Sequence, residues 1–428
     1  MNALRSVPLT KACCFATTWI TLMSLSIPAP ANDFPAPAAP EASHLALVRE
    51  VLRAVPLIDG HNDLPWQFHK QHNDLTTVDL RQGSHQLPQP WATDIPRLRA
   101  GGVGAQFWAV YVPPELSPAA AVKMTLEQTD LVHRLVKYYP DTFELARTAD
   151  DIERIHRAGR IASLIGVEGG HSLGNSLAVL RMLHELGARY LTLTHTKNTA
   201  WADAAGDQPE HGGLTPLGED VVRELNRLGM MVDLAHVADD TMRAALRVSR
   251  APVIFSHSNA RALCDHERNV PDDILRETAR KRGIVMVCFL PGFVTNSARD
   301  AFRAATEERK RLATLYPHDP DRAAAEMKQW RQTHQDKTTP TVSDVADHVD
   351  HLRQVMGIDH IGLGSDFDGF NGAVRGLEDV SKFPVLLAEL ARRGYSREDL
   401  EKIAGLNLLR VMREVETVAR EGAAPSAP

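Results

Sequence analysis

The chain has 428 residues, 43% of them hydrophobic, and a formal net charge of -6. That supports one large domain or two ordinary ones around a sizeable core, and it excludes global disorder. The acidic balance offers no electrostatic footprint for nucleic acid, and four cysteines make no disulfide framework for a protein this large.

The N-terminus reads as an export signal. Arg5 and Lys11 form a positive region, residues 12–27 are mostly apolar, and Ala29-Pro30-Ala31 offers a cleavage site. Residues 1–31 are therefore expected to be a signal peptide, with an uncleaved anchor as the alternative, and the protein is expected to be periplasmic or secreted. Residues 32–41 form an Ala/Pro-rich, disordered lead-in. Eight apolar runs with β-branched residues then follow, at 57–63, 103–112, 161–168, 189–195, 230–236, 252–257, 284–289 and 360–366. Segments of helical period lie between them, among them 176–186, 217–228, 239–248 and 271–281. Strands alternating with helices in this number predict a (β/α)8 barrel over residues 42–415. No Gly-rich fingerprint follows the first run, which counts against a doubly wound dinucleotide fold. Residues 295–340 are rich in Arg, Glu, Ala, Lys and Gln and predict an inserted helical segment before the last strand, read as a solvated decoration. Residues 416–428 read as a flexible tail. After the signal no segment is long and apolar enough to span a membrane. Cys288 sits inside an apolar run and reads as a buried thiol, and only Cys264 remains as a partner for one bridge.

The apolar runs end on chemistry. The first ends in His61-Asn62-Asp63, the third in Glu168, the fourth in His195, the fifth in His236, the sixth in His257 and the eighth in Asp366, with Asp368 following. In a (β/α)8 barrel these ends meet at one rim, the face that carries active sites. A single His after an apolar run is commonly structural, but six coincident endings are hard to obtain by accident. Residues i and i+2 of a strand share a face, so His61 and Asp63 leave the first strand side by side. The set exceeds the three protein ligands and one water of a single catalytic zinc. A carboxylate such as Glu168 can bridge two ions, which predicts a two-metal site around a shared activated water. Mixed His and carboxylate donors without Cys suit zinc, with manganese or cobalt as substitutes.

On these residues the chain resembles the renal (membrane) dipeptidase family of zinc-dependent dipeptidases, from about residue 45 to residue 415. The resemblance rests on LIDGHNDLPW at 57–66, GVEGGHSL at 166–173, RYLTLTHTKNTAWAD at 189–203 and VDLAHV at 232–237. It continues in APVIFSHSNAR at 251–261, RNVPDD at 268–273, GSDFDG at 364–369 and GLEDVSKFP at 376–384. It implies a (β/α)8 barrel that hydrolyses dipeptides through a metal-bridging hydroxide, including dipeptides with a C-terminal D-residue. His61 and Asp63 would bind one zinc, Glu168 would bridge to the second, and His236 and His257 would complete it. His195 would sit at the substrate carbonyl, Asp366 would be the acid/base carboxylate, and Arg268 would hold the free carboxylate. A homodimer is implied as well. The chemistry agrees: a carboxyl can take a proton from the attacking water and pass it to the leaving amine, and the Arg fork matches a carboxylate. Without the resemblance, Arg268 would read as a surface ion pair with Glu267 or Asp272.

Other residues read as support. His171 would orient Glu168 or pack beneath the rim, and Asp59 and Asp368 would back the ligand positions. Trp66 and Trp201 would wall the pocket or pack, and His348, His351 and His360 would be solvated or packed. Two features depart from mammalian members: their pocket tyrosine near the end of the seventh strand is missing from VCFLPG at 287–292, and their C-terminal lipid-anchor signal has no counterpart. The alternative is another metal-dependent barrel hydrolase of lactonase, phosphotriesterase or deaminase type. Many of those carry His-x-His on the first strand and a modified Lys as bridge, whereas here the first strand gives His-x-Asp and Lys197 lies beyond the strand end. A barrel that holds metal without catalysis is the third reading.

Overall fold

The computed structural model describes residues 41–334 and 339–423. The expected signal peptide, residues 32–40 of the lead-in and residues 424–428 lie outside the described residues. Nine parallel strands form one sheet: β1 (Leu57–Asn62), β2 (Val103–Tyr111), β3 (Phe143–Leu145), β4 (Ile161–Glu168), β5 (Ala188–Thr192), β6 (Met231–Asp233), β7 (Val253–Phe255), β8 (Ile284–Val287) and β9 (Ile361–Leu363). Their order is β2-β1-β9-β8-β7-β6-β5-β4, and β4 pairs back onto β2, closing a (β/α)8 barrel. Such strands read as continuous apolar runs because helices cover the outer face and side chains fill the inner one. The short β3 has no counterpart among the eight runs. It pairs with Ile161–Ser163 at the start of β4, a stretch that β5 leaves uncovered.

Several strands stop short of the apolar runs. His195, His236, His257 and Asp366 all lie in loops just past the last paired residue. His236 and Asp366 adopt left-handed backbones, with φ of 70° and 65°, a conformation that cannot continue a ladder. A bulge does similar work in β1. Asp59 pairs with Gln106 and Asn62 with Trp108, so β1 carries one residue too many between them. The extra residue lets His61 share the barrel interior with Ile58, which simple alternation would deny. That interior is filled by Ile58, Phe107, Leu164, Tyr190, Ile254 and Met286, packed with Leu408, Leu409 and Met412 of the helix Asn407–Ala423. This helix corrects the tail expected from residue 416. Val415 is buried in the same cluster, and Glu416 Oε1 accepts the Ala149 amide at 3.0 Å, so the helix has reason to continue to Ala423.

The inserted segment forms two helices, Asn296–Leu315 and Pro320–His334, before the helix Val342–Met356 leads into β9. Most of its residues are exposed, and an exposed ion pair, Arg303 Nη2 to Glu267 Oε2 at 3.0 Å, links its first helix to the loop that carries Arg268. Cys264 and Cys288 are both free and buried. Among the described residues no helix is long and apolar enough to cross a membrane.

His348 is packed, not solvated. Its Nδ1 accepts the Ala260 amide at 3.2 Å and its Nε2 donates to Val294 O at 2.9 Å, so the ring must be neutral. Burial pushes its pKa down to about 4. The unfolded chain binds the proton at higher pH than the folded one, so this contribution is complete above about 6.5 and is lost as pH falls toward 4. His348→Gln, which keeps one donor and one acceptor, is expected to remove roughly 3 kcal/mol of acid sensitivity between pH 6.5 and 4. Urea denaturation across that range, run on both proteins, reads it directly.

Candidate active site

The rim gathers its donors around one oxygen. Glu168 Oε1 lies 3.0 Å from His236 Nε2 and 3.6 Å from each Nε2 of His61, His195 and His257. Asp63 Oδ2 stands 3.4 Å from His61 Nε2, so the expected pair does emerge side by side, although Asp63 has already left the strand. His257 Nε2 and His236 Nε2 are 3.0 Å apart. Three groups of potential ligands result: His61, Glu168 and His257; Glu168, His195 and His236; and His61, Asp63 and Asp366. His195 thus stands as close to Glu168 as the residues expected to be ligands. All eight expected site residues are present at this mouth. Seven of them, His61 excepted, line a cavity of about 330 Å³ together with Trp66, Tyr111, Leu290 and Gly369.

Support from below decides which imidazole nitrogens face the cavity. Ser256 Oγ donates to Asp233 Oδ2 at 2.6 Å, so it must accept from His257 Nδ1–H at 2.9 Å. Tyr190 donates to Gly60 O at 3.2 Å and in turn accepts from His61 Nδ1–H at 3.0 Å. Both rings are thereby fixed with Nε2 turned toward Glu168. His61 Nε2 is buried without a hydrogen-bond partner. Burial disfavours a charge on His61, but Tyr190, Glu168 and Asp63 outweigh it and raise its proton affinity well above the ordinary imidazole range, so the position between the carboxylates calls for a cation, a proton or a metal ion. The donor set of imidazoles and carboxylates, without Cys among the ligand groups, fits a divalent ion of zinc type.

Electrostatics point the same way. Burial holds His236 and His257 well below the ordinary imidazole range and brings His195 down to about 4, so all three offer lone pairs at neutral pH. Burial opposes ionisation of Glu168 too, but the surrounding His61, His195 and His236 rings outweigh it and hold its pKa well below the ordinary carboxylate value. Asp366 behaves oppositely. Burial, reinforced by repulsion from Asp63 and Glu168, lifts it well above the usual carboxyl range despite the pull of His61. Two carboxylates in one cavity thus differ widely in proton affinity, as functional sites commonly arrange.

Several residues were beyond the sequence reading. Tyr190, Asp233 and Ser256 fix the histidine tautomers, and Tyr111 walls the cavity with its ring 4.7 Å from His195 and edge-on to Trp66 at 4.9 Å. Asp233 had one usable signal, a carboxylate interrupting an apolar run just before a rim histidine, as Asp59 does before His61. Asp59 is fully buried and receives Ser365 N and Oγ, each at 2.7 Å, and Gln106 Nε2 at 3.0 Å, tying β1 to the Asp366 turn. Asp368 accepts the Ala92 amide at 2.6 Å. His171 bonds Val112 O at 2.7 Å and braces the end of β2. Of the two tryptophans, Trp66 lines the cavity and Trp201 is wholly buried. From the 287–292 stretch Leu290 lines the cavity, and Tyr111 on β2 brings a phenol to it.

Gly166 illustrates the tolerance of this support. A Cβ there would run into the Tyr190 ring, which holds His61. Gly166→Ala is expected to cost about 1–3 kcal/mol in denaturant stability, with a matching loss of turnover from a displaced His61.

The profile of the membrane dipeptidase family (Peptidase family M19) matches residues 45–426. The chain belongs to this family. Among its relatives, Dipeptidase aclJ of Aspergillus oryzae is 41% identical over 397 residues, covering 90% of this chain and 84% of that protein. The probable dipeptidase PvdM from Pseudomonas aeruginosa superposes with a TM-score of 0.75 at 24% identity, over 88% of this chain and 99% of that one. A metallo peptidase from Rhodobacter sphaeroides, liganded with a phosphinate mimic of the dipeptide L-Ala-D-Ala, gives a TM-score of 0.70 at 24% identity, over 84% and 99%. The M19 chain described here is accordingly a metallopeptidase-family hydrolase acting on dipeptides, and the lactonase-type alternative is not favoured.

Proposed function

We propose that this dipeptidase works with two zinc ions per chain. His61 and Asp63 would hold one, His236 and His257 the other, and Glu168 would bridge them. The observation that carries this reading is the convergence of four imidazole Nε2 atoms within 3.6 Å of one Glu168 oxygen. When bound, zinc pairs lower the pKa of water toward neutrality and polarise the scissile carbonyl. The chain's own residues do the rest. Arg268 grips the substrate's free carboxylate and so sets the peptide bond in register. His195, neutral and only partly exposed, donates to the carbonyl oxygen as charge develops there. Asp366 takes the proton of the attacking water and delivers it to the leaving amine. Trp66, Tyr111 and Leu290 exclude bulk water. A cavity of about 330 Å³ lies at the low end of the roughly 300–1,000 Å³ typical of ligand pockets, which suits a dipeptide better than a longer chain.

Acceptance of a C-terminal D-residue is part of the proposal, supported by the ligand of the Rhodobacter sphaeroides neighbour. Export through residues 1–31 rests on Arg5, Lys11 and the apolar stretch after them, and a homodimer rests on family resemblance. The test is one preparation carried through elemental analysis and a panel of L,L and L,D dipeptides. About two zinc ions per chain are expected, with turnover lost on chelation and restored by zinc. Robust hydrolysis after exhaustive chelation and metal-free dialysis would sink the metal-dependent reading.

A further inference from the structure

The inserted helices Asn296–Leu315 and Pro320–His334 carry a cavity that the peptidase chemistry does not use. It measures about 810 Å³ and shares no lining residue with the active-site cavity. One wall comes from Arg309, Leu312, Ala313 and Tyr316, and the other from Pro320, Ala323, Ala324, Met327, Lys328 and Arg331. Both sets follow the i, i+3, i+4, i+7 spacing of one helix face. Each inserted helix therefore turns an apolar stripe toward the other, with alanines where larger side chains would have closed the gap.

The groove is polarised along its length. The connection at residues 316–319 joins the two helices, so Tyr316, Pro317 and Pro320 close one end. Arg309, Lys328 and Arg331 lie toward the other. None of these three cations has an ion pair among the described residues, although neighbouring Arg303, Lys310, Arg311 and Arg322 all pair with glutamates. At 1.5 Å per residue the two walls run roughly 10–16 Å. An apolar channel with converging charges at one mouth is the usual form of a small-ligand site. We propose that this groove binds an anionic amphiphile: a carboxylate or phosphate head on Arg309, Lys328 and Arg331, and one alkyl chain along Leu312 and Met327 toward Tyr316. The N-terminal segment is a poor occupant, since Arg5 and Lys11 bring the wrong charge.

The test uses the full-length enzyme and dodecanoate or dodecyl phosphate below their micelle concentrations, read by titration calorimetry. One bound amphiphile per chain is expected. Arg309→Glu combined with Arg331→Glu should weaken it roughly tenfold or more, from the loss of charge-assisted contacts. Ala324→Trp, which fills the groove from an exposed position, should abolish it. Dipeptide turnover, measured on the same samples, should be unchanged in both variants, so a failed dipeptidase assay and a failed amphiphile site are separate results. Equal affinity for dodecyltrimethylammonium, indifference to both variants, or no uptake at all would overturn the proposal. So would binding to phosphatidylglycerol vesicles without binding of the monomeric amphiphiles. Concentration-dependent self-association that both variants abolish, without amphiphile uptake, would assign the groove to a second copy of the chain instead.

Discussion

Glu168→Gln is expected to abolish dipeptide turnover, by roughly 10³-fold or more, in a protein that still folds. The substitution keeps the size and shape of the side chain, so packing at the end of β4 is preserved. What it removes is the one anion that four imidazoles face. The amide cannot donate lone pairs from both terminal atoms, so a bridging role is lost together with the charge. It also presents N–H donors to His61 and His257, whose Nε2 atoms are fixed toward it by Tyr190 and Ser256. Metal content and turnover should therefore fall together, while the circular dichroism spectrum stays that of the parent. A folded Glu168→Gln protein retaining turnover within tenfold of the parent would remove Glu168 from the centre of the site.

Much of this site was legible because a parallel barrel turns chain order into spatial order. A run of β-branched residues ending in His or Glu has only one place to end, at the rim, so His61, Glu168, His195, His236 and His257 could be gathered before any coordinates. The bulge in β1 and the left-handed turns at His236 and Asp366 were not legible, because both are decided by contacts with other strands. The same holds for Tyr190. Its ring sits mid-strand on β5, and only barrel closure brings its hydroxyl to His61. The short β3 escaped because Phe143–Leu145 has no periodicity of its own and exists by pairing with β4. The helix to Ala423 escaped for a related reason: its polar sequence hides an apolar face whose partner is the barrel interior.

Arg268 shows the limit of local reading. From sequence alone its neighbours Glu267 and Asp272 offered ordinary ion pairs. In the fold those carboxylates are engaged elsewhere, Glu267 by Arg303 and Asp272 by His351. Arg268 points inward to the cavity, and no ion pair satisfies it among the described residues. Its Nε has no hydrogen-bond partner, its Nη2 makes a long 3.4 Å contact with His257 O, and its guanidinium stacks over Phe293 at 5.0 Å. A half-buried cation without an ion pair, lining this cavity, supports the proposal that Arg268 receives the anionic end of a substrate.

Arg268→Ala is therefore expected to lower kcat/KM for dipeptides about 10²-fold or more, the scale of removing one partner from a desolvated charge pair. The loss should fall mainly on KM, since the carboxylate is held alike in ground and transition states. Dipeptide amides lack that carboxylate. They should be poor substrates of the parent and change less than about threefold on substitution, because no charge pair remains to lose. Arg268→Lys keeps the charge without the planar fork and should fall between the two. Removing a half-buried cation that has no ion pair among the described residues should not unfold the protein, and the thermal midpoint is expected to stay level or rise. If dipeptides and their amides lost rate equally in Arg268→Ala, Arg268 would be acting on the scissile bond or on the architecture, and recognition of the free carboxylate would have to be sought elsewhere at the mouth.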